Sequence, residues 1–374
     1  MKHYHVNWQN GMNISKTHFL QMENAFSDEL TDARAVFLNS RNYGLLPVNA
    51  GEETSVKTVI KMDNQKFLKV KIFRCLAVTR GGGQIEITEE HQLPELETDI
   101  SLELSQYAQN EGSEFFILLT VDPFNRQPFG ELNEEEDPPR YPFTIPGFRI
   151  SVISADNLNK EGVHPLSFFI GKMKIEQGVP TVCDDYIPPC MTVRSHLKIN
   201  EFCEFAEKFF SQMELDLLSI NRKINEKNQD TNLAKSVFKL SENLLSYISA
   251  NHLRMRYEIP DLPPIHLFMY IANAARVIRN TIDSAAAASK EELLNYFTNW
   301  SELKQGDFEK LLVYCINFEY RHFDILFSVE QFGEFIQIIA RLFDKLESLA
   351  YIGKKKETSI FVKEQKPGRS FLAD

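Results

Sequence analysis

The sequence predicts an α+β protein built from two successive parts, an all-β sandwich followed by an all-helical bundle. Chain breakers provide the first observation, because 12 of the 16 prolines and 12 of the 16 glycines precede residue 190. Turns are therefore frequent in the first half of the chain and rare in the second. Short apolar segments fill the first half, and long apolar stripes at helical spacing fill the second. Strands and helices in separate runs are typical of an α+β arrangement.

The first half begins with a predicted helix and continues as strands. Apolar residues recur every three or four positions over 16–38, which predicts an amphipathic helix. Alternating apolar and polar residues rich in β-branched side chains, together with apolar runs bounded by turns, predict the strands of a sandwich. The predicted strands cover 54–62, 67–79, 84–88, 115–121, 148–154 and, as one or two strands that end at a Gly-Val-Pro turn, 165–182.

The second half predicts long amphipathic helices. Their short connecting loops predict that neighbouring helices pack antiparallel as a bundle. We therefore divide the chain into a sandwich domain with an N-terminal helix at 1–190, a helical domain at 191–351 and a flexible basic tail at 352–374. The predicted helices cover 195–228, 232–256, 263–288, 289–297, a segment from about 307, and 329–351.

The first helix of the bundle is apolar on more than one side, within the segment EFCEFAEKFFSQMELDLL. A helix that is apolar nearly all round is usually buried on all sides. In a domain of this size the pattern predicts a seam between identical subunits, with core packing as the simpler alternative. The predicted seam residues are Phe205, Phe209, Met213 and Leu217.

Composition and charge argue against several classes of function. A net charge of -11 and an isoelectric point near 5.4 do not fit a nucleic-acid-binding protein, which would show a basic face. Polar residues interrupt the N-terminal apolar runs, so no signal peptide is predicted. No apolar run reaches the ~18 residues of a membrane span. Five cysteines without tight spacing indicate reduced thiols in a cytoplasmic protein.

Several segments invite a chemical interpretation, but each favours a structural one. A strand follows the RGGG segment at 80–83, where a phosphate-binding loop would continue into Gly-Lys-Ser/Thr and a helix, so a hairpin turn is predicted. The HYH segment at 3–5 and the pair Cys183/Cys190 lack further metal ligands nearby. His18 is expected to hydrogen-bond the backbone rather than to take part in catalysis.

An acidic, proline-rich segment at 131–143 carries four adjacent carboxylates. Catalytic acid and base carboxylates converge from separate elements, so we interpret this segment as a solvated loop or as a stiff strap that meets a basic partner. The sequence contains no G-x-S-x-G, no H-E-x-x-H and no catalytic cysteine signature. We therefore predict no enzymatic activity, no cofactor and no metal.

Five segments, in this order, resemble the TssK family of type VI secretion baseplate proteins. The opening stretch contains Trp8, Gly11-Met12, His18-Phe19 and Gln21. The others are NYGLLPV at 42–48, RCLAVTRGGGQIEIT at 74–88, the proline-rich segment 121–143 and DDYIPPCMTV at 184–193. Together they span roughly residues 6–350. Where the family usually has a proline before the His-Phe step, this chain has SKTHF.

The resemblance implies a homotrimeric structural adaptor without catalysis. A β-sandwich shoulder would contact the wedge proteins TssF, TssG and TssE, and a helical neck would hold the trimer. The family's C-terminal head domain, which docks the inner-membrane complex, is expected to be missing after residue 351. A short, Bacteroidetes-like form with another membrane-anchoring partner would fit this difference. The expected location is cytoplasmic, at the baseplate on the inner face of the inner membrane.

Two surfaces are expected to contact the wedge, the aromatic N-terminal stretch and the acidic loop. The alternative function is a ligand-binding module like a phage receptor-binding protein, for which exposed aromatic residues in the sandwich would be the mark. An enzyme with a site that one sequence does not reveal is the third possibility. The expected wedge-contact residues are Trp8, Met12, His18, Phe19, Gln21, Glu134, Glu135 and Glu136.

Overall fold

The computed structural model describes residues 2–48, 54–63, 66–101, 112–301 and 303–353. In this part of the chain the predicted fold class is confirmed, because two antiparallel sheets come first and long helices follow. A helix, α1 (Lys16–Ala35), precedes the sheets, and a short helix, α2 (Ala155–Glu161), lies among them. The strands are β1 Gly44–Leu45, β2 Val56–Met62, β3 Phe67–Val78, β4 Gln84–Ile87, β5 Leu96–Asp99, β6 Glu114–Phe129, β7 Phe143–Ser154, β8 Ser167–Glu176 and β9 Val179–Val182.

The two sheets are organised around their longest strands. In the first sheet β3 pairs with β1, β2, β4 and β5, and in the second the order is β7-β6-β8-β9. All these pairings are antiparallel, and β6 and β7 form a long hairpin with a register shift between Asp122 and Arg126. Antiparallel neighbours joined by short turns are what the alternating segments of the sequence predict.

The sheets pack face to face around one apolar core. Leu68 and Val70 of β3 and Phe115 and Ile117 of β6 are fully buried in the same cluster. A Cβ at Gly171 of β8 would lie 2.6 Å from Cδ1 of Ile60 in β2. The absence of a side chain at Gly171 therefore lets the two sheets approach, as in a sandwich.

The helical half follows the predicted order. Residues Gly333 and Phe202 approach near the N-terminal ends of two long helices, α3 and α8, and Ser219 Oγ donates to Glu347 Oε1 at 2.8 Å near the C-terminal ends. These two helices are therefore parallel neighbours, although they are distant in sequence. The helices are α3 Leu197–Glu226, α4 Asn232–Leu253, α5 Ile265–Asp283, α6 Ala287–Ser301, α7 Gln305–Ile316 and α8 Ile325–Ser348.

Several element boundaries differ from the sequence prediction. Helix α1 ends at Ala35 rather than 38, and α4 gives way to a π-turn at Arg254–Glu258. Gly-Val-Pro is not the turn after β8, because the turn lies at Gln177–Gly178, where both residues have positive φ, and the following valine and proline belong to β9. Strands β1 and β5 and helix α2 were not predicted. The domain boundaries at 190 and 351 stay predictions, and residues 354–374 of the predicted tail lie outside the described residues.

Aromatic residues join the sandwich to the helices. Phe323, in the loop before α8, stacks on Phe169 of β8 and meets Phe116 of β6 edge-on, with ring centroids 5.6 and 5.2 Å apart. The Tyr186 hydroxyl donates to the Phe323 carbonyl at 2.6 Å. The outer face of the second sheet is thus covered by Phe323 together with α2 and the segment around Tyr186, which explains why seven consecutive residues of β6 are buried.

A buried ion pair stabilises the same joint. Lys172 Nζ lies 2.6 Å from Asp324 Oδ2 and 2.9 Å from Glu114 Oε1, and the Lys172 and Asp324 side chains are almost fully buried. Burial alone would lower the pKa of Lys172, but the hydrogen bonds to both carboxylates raise that pKa above its ordinary value. The lysine is therefore charged, and it neutralises a carboxylate at the N-cap of α8.

A neutral histidine completes the joint. His322 Nε2 donates to the Tyr43 carbonyl at 2.7 Å, and the Tyr320 hydroxyl donates to His322 Nδ1 at 2.7 Å. Burial lowers the pKa of His322 to about 4. The segments NYGLLPV (42–48) and DDYIPPCMTV (184–193) also meet here, since the Leu45 amide donates to the Pro189 carbonyl at 2.8 Å.

Candidate partner-binding surfaces

The N-terminal arm, residues 2–15, and helix α1 form a surface, called here the N-terminal surface, with many exposed apolar side chains. Ala25 is the buried residue of α1, whereas Phe26 is 50% exposed. Monomeric proteins rarely expose contiguous apolar surface of this kind, and larger patches mark interaction sites. The large apolar side chains exposed here are Tyr4, Trp8, Ile14, Phe19, Leu20, Phe26 and Leu30.

Polar contacts hold the arm against α1. The His3 backbone amide and Nδ1 bond to Asp28 Oδ2 at 2.7 and 2.9 Å, and His5 Nε2 lies 2.7 Å from Glu29 Oε1. Burial alone would raise the pKa of Asp28, but the hydrogen bonds from His3 hold that pKa below its ordinary value. The HYH segment therefore holds the arm on α1 through the carboxylates of Asp28 and Glu29.

The residues of the opening motif come together at the start of α1. The Trp8 ring lies 6.1 Å from the His18 ring and 6.3 Å from the Phe19 ring. His18 Nδ1 accepts a hydrogen bond from the Ser15 amide at 3.2 Å, which satisfies a free donor at the helix N-terminus. The prediction of a backbone-bonding His18 is confirmed. Met12 is half-buried and Gln21 is exposed.

The underside of α1 rests on the glycine turn between β3 and β4. Gly82 has a φ of +84°, and a Cβ there would lie 2.1 Å from the Thr31 carbonyl oxygen of α1. Arg34 Nη2 donates to Gln84 Oε1 across this contact at 2.8 Å. The predicted hairpin turn is confirmed, and the glycine also allows the close approach of the helix.

The acidic loop lies at the tip of the β6–β7 hairpin, between Phe129 and Phe143. Glu134 and Glu135 are exposed. Glu136 is partly neutralised within the loop, because Arg140 forms an ion pair with it and Asn133 Nδ2 donates to it at 3.2 Å. Two of the three predicted contact carboxylates are therefore open to solvent.

An arginine connects the acidic hairpin to the N-terminal surface. Arg126 of β6 donates to Asn24 Oδ1 of α1 at 2.7 Å and pairs with Glu23. The two surfaces that the sequence predicted separately are thus attached to each other where the acidic loop leaves the β6–β7 strands. Sequence patterns alone did not indicate this connection, because the contacting residues are about 100 positions apart.

An apolar groove of about 590 Å³ runs between α3 and α8. Phe205 is 41% exposed at this groove, whereas Phe209 and Met213 are almost buried in its floor. Leu217 is fully buried and is not part of the lining. The sequence did not identify the α8 side of this α3/α8 groove, although the apolar repeat of α8 carried the signal. The lining on that side includes Ile336, Ala340 and Phe343.

Charged residues are ordered along the α3/α8 groove. Lys208 lies toward its N-terminal end and Arg341 in its middle, whereas Asp216 and Asp344 line the end nearer the C-termini of the two helices. Asp216 is 8% exposed and accepts a hydrogen bond from Gln212 Nε2 at 2.8 Å. Burial raises the pKa of Asp216, and the nearby carboxylates of Asp344 and Glu347 raise it further.

The described residues include free cysteines but no cluster of potential metal ligands. No group of three or more potential metal ligands occurs among the described residues. All five cysteines are free, as predicted, and burial raises the pKa of the Cys75 and Cys203 thiols to about 12. Among the described helices, none combines the length and apolarity needed to cross a bilayer.

Comparisons with known proteins give matches among solved structures alone. No family model matches the sequence, and a comparison with curated proteins gives no significant match. A crystal structure of TssK has 12% identity to this chain, with 91% of this chain and 70% of that chain covered and a TM-score of 0.49. TssK from the EAEC type VI secretion system, in complex with nanobody nb18, has 15% identity, coverages of 87% and 99% and a TM-score of 0.47.

A third match is a chain in the cryo-electron microscopy structure of the TssK-TssF-TssG baseplate subcomplex of a type VI secretion system. It has 14% identity, with 92% of this chain and 100% of that chain covered and a TM-score of 0.43.

Proposed function

We propose that this chain is a structural adaptor of a type VI secretion baseplate, a TssK-like protein that binds wedge proteins and does not catalyse a reaction. The observation that carries the proposal is the N-terminal surface, where the motif residues Trp8 and Phe19 lie exposed beside each other. Large aromatic side chains of this kind are the anchors of protein interfaces. The five ordered segments of the sequence support the same assignment.

The wedge is proposed to contact the N-terminal surface together with the acidic hairpin. The proposed contact residues Trp8, Met12, Phe19 and Gln21 supply the apolar centre, and His18 maintains the helix start. Glu134 and Glu135 would steer a basic partner, and Glu136 would shape the loop through Arg140. The proposed partners are TssF and TssG, which accompany TssK in the solved subcomplex, and TssE.

Binding to purified TssF–TssG from the same system tests this surface. We expect Phe19→Ala to weaken binding by about tenfold or more, because an exposed aromatic anchor would lose its contacts. The matched control is Tyr257→Ala, which removes an exposed aromatic side chain from the helical half. Equal affinity for wild type and both variants would overturn the assignment of the N-terminal surface.

The subunits are proposed to form a homotrimer through the α3/α8 groove. Phe205, Phe209 and Met213 line that groove, and Leu217 supports it from beneath. The exposed part of Phe205 and the open apolar floor would be covered by a neighbouring copy. The mixed charges along the rim suit contact with an identical surface, since acidic and basic groups are both present.

Light scattering of the purified chain tests the trimer. We expect three times the mass of one 43.2 kDa chain. The variant Phe205→Glu should dissociate the assembly, because it places a charge in the seam while its 41% exposure lets the monomer fold. The matched control Leu215→Glu changes an exposed leucine of the same helix outside the groove. A trimer that tolerates Phe205→Glu would place the seam elsewhere.

The adaptor is proposed to act in the cytoplasm, at the baseplate on the inner face of the inner membrane. Its link to the membrane would run through another anchoring component, whose identity is open. The alternative function is a ligand-binding module like a phage receptor-binding protein. Binding to a glycan array, with no binding to TssF–TssG, would favour that alternative.

A further inference from the structure

Strand β2 lies at an edge of the first sheet. In the described part of the chain it pairs with β3 alone, so no strand lies along its other side. Because the Asp63 amide donates to the Phe67 carbonyl, every second residue before Asp63 turns its backbone groups toward β3. The residues between them turn their N–H and C=O groups outward, and they are Thr58, Ile60 and Met62. These three residues form the free edge of β2.

The exposed face beside this edge carries several lysines. Lys57, Val59 and Lys61 of β2 are exposed. Lys71 lies opposite Val59 and Lys69 opposite Lys61, on the same face of the sheet. We call the four lysines the basic face. Lysines protect an exposed edge because their charge hinders pairing with another strand. The same charges favour a strand that carries carboxylates, since opposite charges across a sheet attract.

The charge of the basic face is only partly balanced within the chain. Lys69 Nζ lies 3.4 Å from Glu97 Oε1 and 3.7 Å from Asp63 Oδ2. Lys61 forms no ion pair with a described residue, although it lies directly opposite Lys69. Like charges at directly opposite positions destabilise a sheet. Carboxylates from another molecule would relieve this repulsion.

A cleft of about 270 Å³ opens beside the free edge of β2. Its lining includes Thr58 and Ile60 of β2, Gly171 and Val182 of the second sheet, and His196 at the N-cap of α3. His196 Nδ1 is enclosed and has no hydrogen-bond partner among the described residues. Small-molecule sites usually measure ~300–1,000 Å³, so this cleft suits one side chain of a bound peptide better than a whole ligand.

The free edge is distant from the N-terminal surface. Helix α1 rests on the turn that follows Val78 at the end of β3, whereas Lys61 is paired with Lys69 near the start of that strand. Lys69 and Val78 are nine positions apart, which is about 30 Å at the rise of a strand. A molecule bound at the free edge would therefore occupy a different surface from the proposed wedge contacts.

We propose that the free edge of β2 binds an extended acidic segment of a partner protein, which adds as a strand beside β2 and places one side chain in the cleft. Main-chain hydrogen bonds to Thr58, Ile60 and Met62 supply the affinity in this arrangement. The lysines of the basic face select carboxylates at alternate positions of the segment, because alternate side chains lie on one face. The inference depends neither on the proposed wedge contacts nor on the trimer.

Peptide selection on the full-length chain tests the proposal. Random dodecapeptides displayed on phage are selected on the purified protein, and enriched sequences are then measured as labelled peptides by fluorescence anisotropy. We expect the enriched peptides to carry Glu or Asp at alternate positions. A selection that enriches no such peptides would overturn the proposal.

Backbone methylation of the tightest peptide tests the added strand. Each amide is methylated in turn, which removes one donor and leaves the side chains unchanged. Because alternate amides of a strand face its neighbour, we expect affinity to fall by about tenfold at every second position and little at the positions between. An even effect along the peptide, or no effect, would overturn strand pairing. Equal binding of the all-D peptide would overturn it as well, because charge attraction alone would then explain binding.

Two pairs of protein variants locate the site. Lys61→Glu should weaken binding by about tenfold, because it repels the carboxylates. Its control is Lys310→Glu, at an exposed lysine of α7. Val182→Trp should fill the cleft and weaken binding by about fivefold, whereas Val179→Trp alters an exposed valine of the same strand outside the cleft. Both controls should bind as the wild type does. Unchanged binding in either Lys61→Glu or Val182→Trp would overturn the proposed site.

Discussion

Helices α1 and α8 carry the same kind of apolar repeat but have opposite environments. The 24-residue α8 buries 11 residues, whereas the 20-residue α1 buries Ala25. Phe332 and Phe335 of α8 are within 1% of complete burial, while Phe19 and Phe26 of α1 are about half exposed. The apolar side chains of α8 therefore build the core, and those of α1 remain available to another molecule.

The difference shows that an amphipathic repeat predicts a helix without predicting what covers it. α8 is largely buried because α3 runs beside it in parallel and α5, α6 and α7 pack against it, although the α3/α8 groove stays open on one side. α1 lies at the edge of the sandwich and contacts it through a glycine turn and a few polar groups, among them Arg34 with Gln84. A protein surface that retains large apolar side chains in this way marks an interaction site.

The largest difference in stability between the two helices is expected when one phenylalanine side chain of each is truncated to alanine. Phe335→Ala should lower the free energy of unfolding by about 3–5 kcal/mol, because it removes buried contacts and leaves a cavity. Phe26→Ala, at a half-exposed position, should change it by about 1 kcal/mol or less. Chemical denaturation at neutral pH measures both. Similar losses from the two variants would show that α1 is part of the cooperative core.

Removing an ion pair next to each helix should also affect stability very differently, because one pair is buried beside α8 and the other is exposed on α1. Lys172→Met leaves the Asp324 carboxylate at the N-cap of α8 buried without its nearest cation, which should destabilise the protein by about 3–5 kcal/mol. Adding Asp324→Leu should restore most of that stability. Lys2→Met, which removes an exposed partner of Asp32 on α1, should have no measurable effect. If Lys172→Met changes the free energy of unfolding only slightly, and Asp324→Leu does not raise it again, the structural role of this ion pair is contradicted.

The third and smallest expected effect on stability comes from His322 and depends on pH. The pKa of His322 is lowered to about 4 by burial, against an ordinary value of 6.5. The unfolded chain therefore binds a proton between these values that the folded chain does not bind, so stability falls as the pH falls from about 6.5 to about 4. The loss from this group is about 3 kcal/mol, complete below the lower value.

The variant His322→Gln isolates that proton. A glutamine can still donate to the Tyr43 carbonyl, so folding at neutral pH should be retained with a modest loss. Its unfolding free energy should depend less steeply on pH between 6.5 and 4 than that of the wild type. Some dependence should remain, because burial also lowers the pKa of His196 to about 4. Identical pH slopes would mean that His322 titrates alike in both states.

Much of the secondary structure could be predicted from the sequence because it depends on residues that are close together along the chain. The helix at α1, the strand β3, the first part of β6, the hairpin turn at Gly82 and the backbone hydrogen bond of His18 all follow from spacing and residue type. Elements held by remote contacts were missed. The two-residue strand β1 forms because β3 and Pro189 supply its partners, and neither is local.

For the candidate surfaces, too, the sequence predicted the local features but not the contacts between distant segments. Sequence patterns pointed to the aromatic start of α1, the acidic loop and three of the groove-lining residues on α3. They did not reveal that Arg126 attaches the hairpin to α1, or that Ala340 and Phe343 of α8 complete the groove. Both contacts join residues about 100 or more positions apart.

By itself, the amino-acid sequence determined the β-then-α order, most of the elements and the apolar character of the N-terminal segment. Hydrophobic periodicity, chain breakers and helix caps each involve only a few neighbouring residues. The secondary structure that they specify can therefore be predicted from the sequence. Tertiary structure alone decided which apolar faces are buried. α3 and α8 cover each other, whereas α1 meets the sandwich at its edge, and burial depends on which remote elements fill the space around a helix.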